Sequence, residues 1–212
     1  AAGINALALT EYDRIPDLDE VAATSKKLEF PIFVGIDIDT DDGRVLAFAP
    51  DPSDARFSEM SWDPGDGPMG IKEVLGVMDE LGGAVIAMHP YLDDGGPYLG
   101  DRIYKMGGLS GVEVVCGIKQ HLANDSALEA ASALGLPTIG GSDTGPEGQR
   151  LGRFATAFSK TVSNQEELVG TLIEGGYWAV EIGEPGEASS RTRPRPRPRQ
   201  RGGRGPRGPR QR

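Results

Sequence analysis

PIFVGIDIDTDDGRVLAFAP, residues 31–50, decides the fold of this chain. Residues 31–39 are rich in β-branched and aromatic side chains and read as a strand. Asp41-Asp42-Gly43 is a turn signal, and residues 44–49 resume as a second strand, so the stretch is a β-hairpin. Asp37 stands inside the first of these strands among apolar neighbours. A buried carboxylate needs a partner, which makes Asp37 the first candidate functional residue.

The flanking sequence alternates strands with helices. Residues 4–10 are an apolar run that reads as a buried strand, and residues 18–28 read as a helix. Ile71, Val74, Leu75, Met78 and Leu81 recur at helical spacing and stop at Gly82-Gly83. Residues 84–88 form a short buried strand, residues 91–110 read as irregular, and residues 112–116 as a strand. Residues 124–134 are helical, with Asn124 as N-cap and Gly135 as C-cap. Residues 138–140 and 154–158 are strands. Asn164 caps a helix with Glu167 three positions on, and Leu168, Val169, Leu172 and Ile173 form its apolar face. Residues 177–182 are the last strand. Eight strands alternating with four good helices predict an α/β fold with a largely parallel sheet, the hairpin being its antiparallel exception.

The 212 residues, 38% hydrophobic and 25% charged, suit one globular domain with a sizeable core. No apolar run approaches the ~18 residues of a membrane span. The stretch AAGINALALT lacks a basic n-region and does not read as a signal peptide. A single cysteine, Cys116, excludes an internal disulfide framework and a Cys-rich zinc site. These features predict a soluble cytoplasmic protein with no membrane partner. Charge is distributed unevenly. Residues 191–212 hold ten arginines and no acid, whereas the rest of the chain sets 12 basic residues against all 32 acids. The tail, RTRPRPRPRQRGGRGPRGPRQR, lacks apolar residues and is expected to be disordered. A domain over residues 1–183 and a basic tail over 184–212 follow. Arginines 193, 195, 197, 199 and 201 suit phosphate recognition and base stacking, so non-specific RNA or DNA contact is expected of Arg193, Arg195, Arg197, Arg199 and Arg201. A solubilising tail that touches nothing specific is the alternative.

In parallel α/β architectures functional side chains collect at the C-terminal ends of strands. There lie Glu11, Tyr12 and Asp13 after the first strand, Asp37 and Asp39 at the end of the second, His89 after residues 84–88, and Ser142 and Asp143 after residues 138–140. Carboxylates with imidazole make a mixed oxygen and nitrogen donor set that suits Mn, Fe or Zn. His89 also reads as a helix-cap or core histidine, and Asp143 as an Asx-turn or N-cap residue. Glu113 alternates with Val112 and Val114, facing either the site or the polar end of the sheet. Arg44 reads as a solvated hairpin residue or as a phosphate-binding cation.

LALTEYD, GIDIDT with GRVLAFAP, GGAVIAMHPY, GVEV and LGLPTIGGSD occur in this order. Together they resemble the polymerase-and-histidinol-phosphatase (PHP) family of metal-dependent phosphoesterases, over roughly residues 1–182. The resemblance implies a distorted (β/α)7-type barrel with up to three metals at its strand ends, here with the first, His-x-His strand missing. It implies that His89 falls on a His-Pro ligand, Asp143 on the aspartate of Ser-Asp-Ala-His, Asp37 on an acidic ligand and Glu11 on the aspartate of Thr-Asp-His. Tyr12 and Gly145 stand where that family has histidines, and Arg44 where a histidine is frequent. The resulting expectation is a metal-dependent phosphoesterase with fewer than three divalent ions (Mn, Zn or Fe). Asp37, His89 and Asp143 hold metal, Glu11 and Asp13 are catalytic, and Arg44 binds phosphate. The substrate is a phosphorylated small molecule or a nucleic-acid end. The alternative is a PHP-like barrel with an eroded metal site that binds RNA or an acidic partner through its tail. Gly65-Asp66-Gly67 through Gly70 formally matches GxGxxG but follows no strand, and Asp37-x-Asp39-x-Asp41 lacks the glycine spacing of a calcium loop.

Overall fold

The computed structural model describes residues 3–62, 67–93, 95–116, 121–143 and 151–182, which lie in one unit, Ala1–Ile182. The tail arginines, Gly145 and part of the Gly65–Gly70 segment lie outside the described residues. No helix among the described residues is long and apolar enough to cross a membrane.

Among the described residues, eight strands and five α-helices follow in the order β1 (Leu7–Tyr12), α1 (Leu18–Leu28), β2 (Ile32–Thr40), β3 (Gly43–Phe48), α2 (Ala55–Ser58), α3 (Ile71–Leu81), β4 (Ala84–Ala87), β5 (Gly111–Val115), α4 (His121–Leu134), β6 (Thr138–Gly140), β7 (Phe154–Phe158), α5 (Gln165–Glu174) and β8 (Tyr177–Glu181). Strands β1 to β6 form one sheet in sequence order, curled into a half-barrel, and β7 pairs with β8. The expectation of a largely parallel sheet needs correction. β3 runs antiparallel to both β2 and β4, so only β1–β2, β4–β5 and β5–β6 are parallel. The two-residue turn Asp41-Asp42 reverses the chain once, and the return from β3 to β4 reverses it again. The described strands make a six-stranded mixed sheet plus a separate two-stranded one.

The first strand is also corrected. It runs over Leu7–Tyr12 and is only partly buried, because β1 is an edge of the sheet with a neighbour on one side. Within residues 91–110 a 3₁₀ helix spans Gly100–Lys105. α4 begins at His121, so Asn124 lies inside the helix and does not cap it. Ile173 is exposed and Thr171 takes its place on the buried face of α5, its hydroxyl bonded to the Glu167 carbonyl at 2.6 Å. Trp178 is half exposed, whereas Trp62 is buried with its Nε1 donating to the Phe57 carbonyl at 2.9 Å.

Local chemistry fixes α1, α3 and α5 where the sequence placed them. The Asp17 carboxylate accepts the Glu20 N–H and caps α1. Asn164 caps α5 in the same way through the Glu167 N–H. α3 starts at Gly70 without a side-chain cap of its own, and Asp41, on the β2–β3 turn, reaches across to accept the Ile71 N–H at 2.8 Å. The hairpin thus anchors the helix that follows it.

Strand alternation sorts the sheet into two faces. Ile36, Ile38, Val45, Ala47, Val85 and Val112 pack under α3 and α4. On the inner face Phe33, Phe48 and Ile86 meet Leu168, Val169 and Leu172 of α5 and Tyr177 of β8. A side chain at Gly35 would collide with the Phe48 ring, so glycine is required in mid-strand there. α5 also closes a gap in the sheet. The Gln165 side chain accepts the Val34 N–H at 2.9 Å and donates to the carbonyls of Val34 and Ala49 at 2.7 and 3.0 Å. It stands in for a strand residue just where the β2–β3 ladder, which is paired from Ile36↔Ala47, ends.

Gln165→Ala leaves those three backbone groups without their partner, and stability is expected to fall by about 2 kcal/mol. Urea unfolding measures it. A loss under about 0.5 kcal/mol would show that the amide is not part of the sheet.

Candidate functional site

One edge of the inner face is apolar, and the other carries the charged residues. Asp37 lies on β2 with 6% exposure. In the β2–β3 register Arg44 stands opposite Asp39 and Asp37 stands opposite Leu46. Arg44 is therefore the diagonal neighbour of Asp37 on the same face, a separation that a long side chain spans. Its Nε donates to Asp37 Oδ1 at 3.1 Å and its Nη2 donates to Asp37 Oδ2, so the pair is bidentate. Of the two readings of Arg44, the solvated one is excluded: three quarters of its side chain is covered.

Tyr12 completes the mount. It sits beside Asp37 in the parallel β1–β2 register, and the Arg44 guanidinium lies over its ring at 5.1 Å. The Tyr12 hydroxyl donates to Asp39 at 3.2 Å. Burial and the nearby carboxylates of Asp39 and Asp13 raise the Tyr12 pKa to about 12, so it stays a neutral phenol. Asp13 ties the strand ends together: its N–H donates to the Asp37 carbonyl at 2.8 Å, and its carboxylate accepts the Asp39 N–H at 3.1 Å.

The sequence left Glu113 between two readings. It belongs to the site. It is 4% exposed, and its Oε2 accepts the His89 backbone N–H at 3.1 Å. A Cβ at residue 141 would lie 2.8 Å from the other oxygen, so Gly141 makes room for it. The signal was the one that revealed Asp37, an acid inside an apolar strand.

Burial sets the two carboxyls apart. It raises Glu113 to about 8, with Asp143 and Asp37 adding to the rise against the His89 N–H. It raises Asp37 only to about 6, because Arg44 opposes it while Asp13 and Asp143 reinforce it. Glu113 therefore holds its proton to a higher pH than Asp37 does.

The backbone is strained around this cluster. Among the described residues, four that are not glycine have positive φ. Glu29 is the C-cap of α1. The other three are Asp13 (φ 52°), His89 (φ 27°) and Asp143 (φ 41°), which follow β1, β4 and β6. Such conformations cost on the order of 1 kcal/mol each and gather at functional sites.

The structure does not bring every expected residue together. Glu11 is paired in register with Ile36, so it belongs to the helix-covered face of the sheet, and it forms an ion pair with Arg14. His89 is buried, and Asp143 is exposed at the rim, within electrostatic reach of Asp37 and Glu113. Tyr12, Asp13, Asp39, Trp62 and Pro68 line a small hollow of about 140 Å³.

No protein-family profile matches this chain, and no curated protein matches it by sequence. Solved structures do match its fold. One is a presumed metal-dependent phosphoesterase from Bifidobacterium adolescentis, 16% identical, with a TM-score of 0.59, covering 78% of this chain and 84% of its own. Another is an amidohydrolase from Chromobacterium violaceum with bound sulfate and no metal, 18% identical, with a TM-score of 0.55, covering 69% of this chain and 80% of its own. The chain therefore shares its fold with these two structures.

Glu113→Gln keeps an acceptor for the His89 N–H and removes the titration. A carboxyl raised in the folded state holds a proton that the unfolded state has lost. Its contribution is complete below the ordinary glutamate range and disappears as pH rises through about 8. The variant is expected to gain about 1 kcal/mol or more on the wild type between pH 5 and pH 8, measured by urea unfolding. Parallel pH profiles would place Glu113 in a solvated setting.

Proposed function

We propose that the chain hydrolyses phosphate esters at this charged edge of the half-barrel. The observation that carries the proposal is the state of Arg44. One edge of its guanidinium is fixed on Asp37 and one face on Tyr12, while Nη1 makes no hydrogen bond among the described residues. A guanidinium held in this way offers two N–H groups to a phosphoryl oxygen.

The likeness to a presumed metal-dependent phosphoesterase raises the expectation of divalent ions, of the Mn, Zn or Fe kind and fewer than three, for which Asp37, His89 and Asp143 would be the donors. Those residue types suit such ions. Their arrangement does not: both Asp37 oxygens are on Arg44, and among the described residues no three His, Cys, Asp or Glu side chains are grouped to hold a metal. The described residues do not fit a metal centre of the PHP kind, and the chemistry falls to the chain's own groups. Arg44 binds the phosphoryl oxygens. Asp143, at the rim, takes a proton from the attacking water. Glu113, which holds its proton to the higher pH, gives a proton to the departing oxygen. A P–O bond to water forms as the ester P–O bond breaks.

Glu11 has no part in this scheme, and Asp13 acts as the tie between strand ends. The substrate is a phosphorylated small molecule or a nucleic-acid end, the latter with Arg193–Arg201 as a non-specific recruiting segment.

The test is phosphate release from glycerol 2-phosphate and from a 5′-phosphorylated oligonucleotide, both with alkoxide leaving groups that need a proton, with chelated protein and with added Mn²⁺ or Zn²⁺. Wild type is expected to turn over at least one of them, and Glu113→Gln to lower kcat by about 100-fold. No release above the buffer rate in any condition, or full activity in Glu113→Gln, contradicts the proposal.

A further inference from the structure

We infer that Arg44 is a built-in replacement for a metal ion at Asp37: a divalent cation and this guanidinium exclude one another at that carboxylate, and the guanidinium holds the place. The inference rests on the same site as the proposed function but not on its turnover.

Three features support it. A carboxylate in the middle of a buried strand must be neutralised, by a proton, a metal or a cationic side chain. Arg44 does this with both of its facing donors, one on each Asp37 oxygen, and so puts a full positive charge against the carboxylate that a second cation would have to approach. The guanidinium also has little freedom to withdraw. Its backbone is fixed by the two-residue turn, its face rests on Tyr12, and Tyr12 is fixed in turn by Asp39. A metal arriving at Asp37 would have to displace an arginine held on two sides or accept a positive charge beside it. The remaining, open edge of Arg44 gives the site what a bound metal would offer, a positive centre for a phosphoryl oxygen.

The distinguishing measurement is metal affinity. Full-length, chelator-treated wild type, Arg44→Gln and the double variant Asp37→Asn/Arg44→Gln are each titrated with Mn²⁺ by calorimetry, with circular dichroism to follow folding. Arg44→Gln removes the positive charge and exposes the Asp37 carboxylate to the metal. It is expected to bind Mn²⁺ at least ten-fold tighter than wild type, and the double variant to lose the gain. Equal affinity in wild type and Arg44→Gln, or a gain that survives in the double variant, overturns the inference. Arg44→Gln leaves a buried acid without its partner and can fail to fold alone. In that event Mn²⁺ is expected to restore its circular dichroism, and a variant that no Mn²⁺ concentration refolds counts against the inference. A chain that hydrolyses no ester but shows the ten-fold gain loses the proposed function and keeps this inference. A chain that hydrolyses esters and binds Mn²⁺ equally well with and without Arg44 does the reverse.

Discussion

An acid in the interior of a strand has to be neutralised, and much of this site follows from how Asp37 meets that demand. The solution is local. The two-residue turn Asp41-Asp42 fixes the β2–β3 register, and that register puts Arg44 one diagonal step from Asp37. A slip by a single residue would send Arg44 to the helix-covered face, among Ile36, Ile38 and Val45, and leave the carboxylate alone. The same turn supplies Asp41 to the start of α3. Hairpin geometry, helix placement and site electrostatics are thus set by one short segment.

Around this pair the inner face divides into a stabilising part and a strained part. Toward α5, Leu168, Val169 and Leu172 seal the sheet, and Gln165 extends its ladder where two strands separate. Toward the opposite edge, three non-glycine residues are held in left-handed backbone, and burial raises two carboxyls to different extents. The apolar part supports a site that would not be stable by itself. The hydrogen bond from the His89 N–H to Glu113 and the two links from Asp13 to β2 hold the strained strand ends in place.

Much of the fold was legible because its signals are local. The spacing of Ile71, Val74 and Met78, stopped by Gly82, gave α3 its length, and Asn164 with Glu167 gave the start of α5. What escaped depends on tertiary context. The partial exposure of β1 comes from its edge position, and the mixed direction of the sheet comes from where β4 returns, neither of which is written in residue type. Asp37 and His89 were legible as candidates, since a carboxylate or imidazole beside an apolar run needs a reason. Their partners were less so. That Arg44 is bound to Asp37 and not to water depends on a diagonal contact across a turn, and the role of Tyr12 as a platform depends on strand register. Glu11 and Tyr12 are adjacent in sequence, yet the alternation of β1 puts them on opposite faces.

A crystal of the full chain grown with Mn²⁺ and inorganic phosphate, with data collected at the Mn edge, confronts the account with a single map. Phosphate on the outer edge of the Arg44 guanidinium, and no anomalous density on the Asp37 carboxylate, is the expected result. A manganese peak on Asp37, with the guanidinium swung off Tyr12, would contradict it.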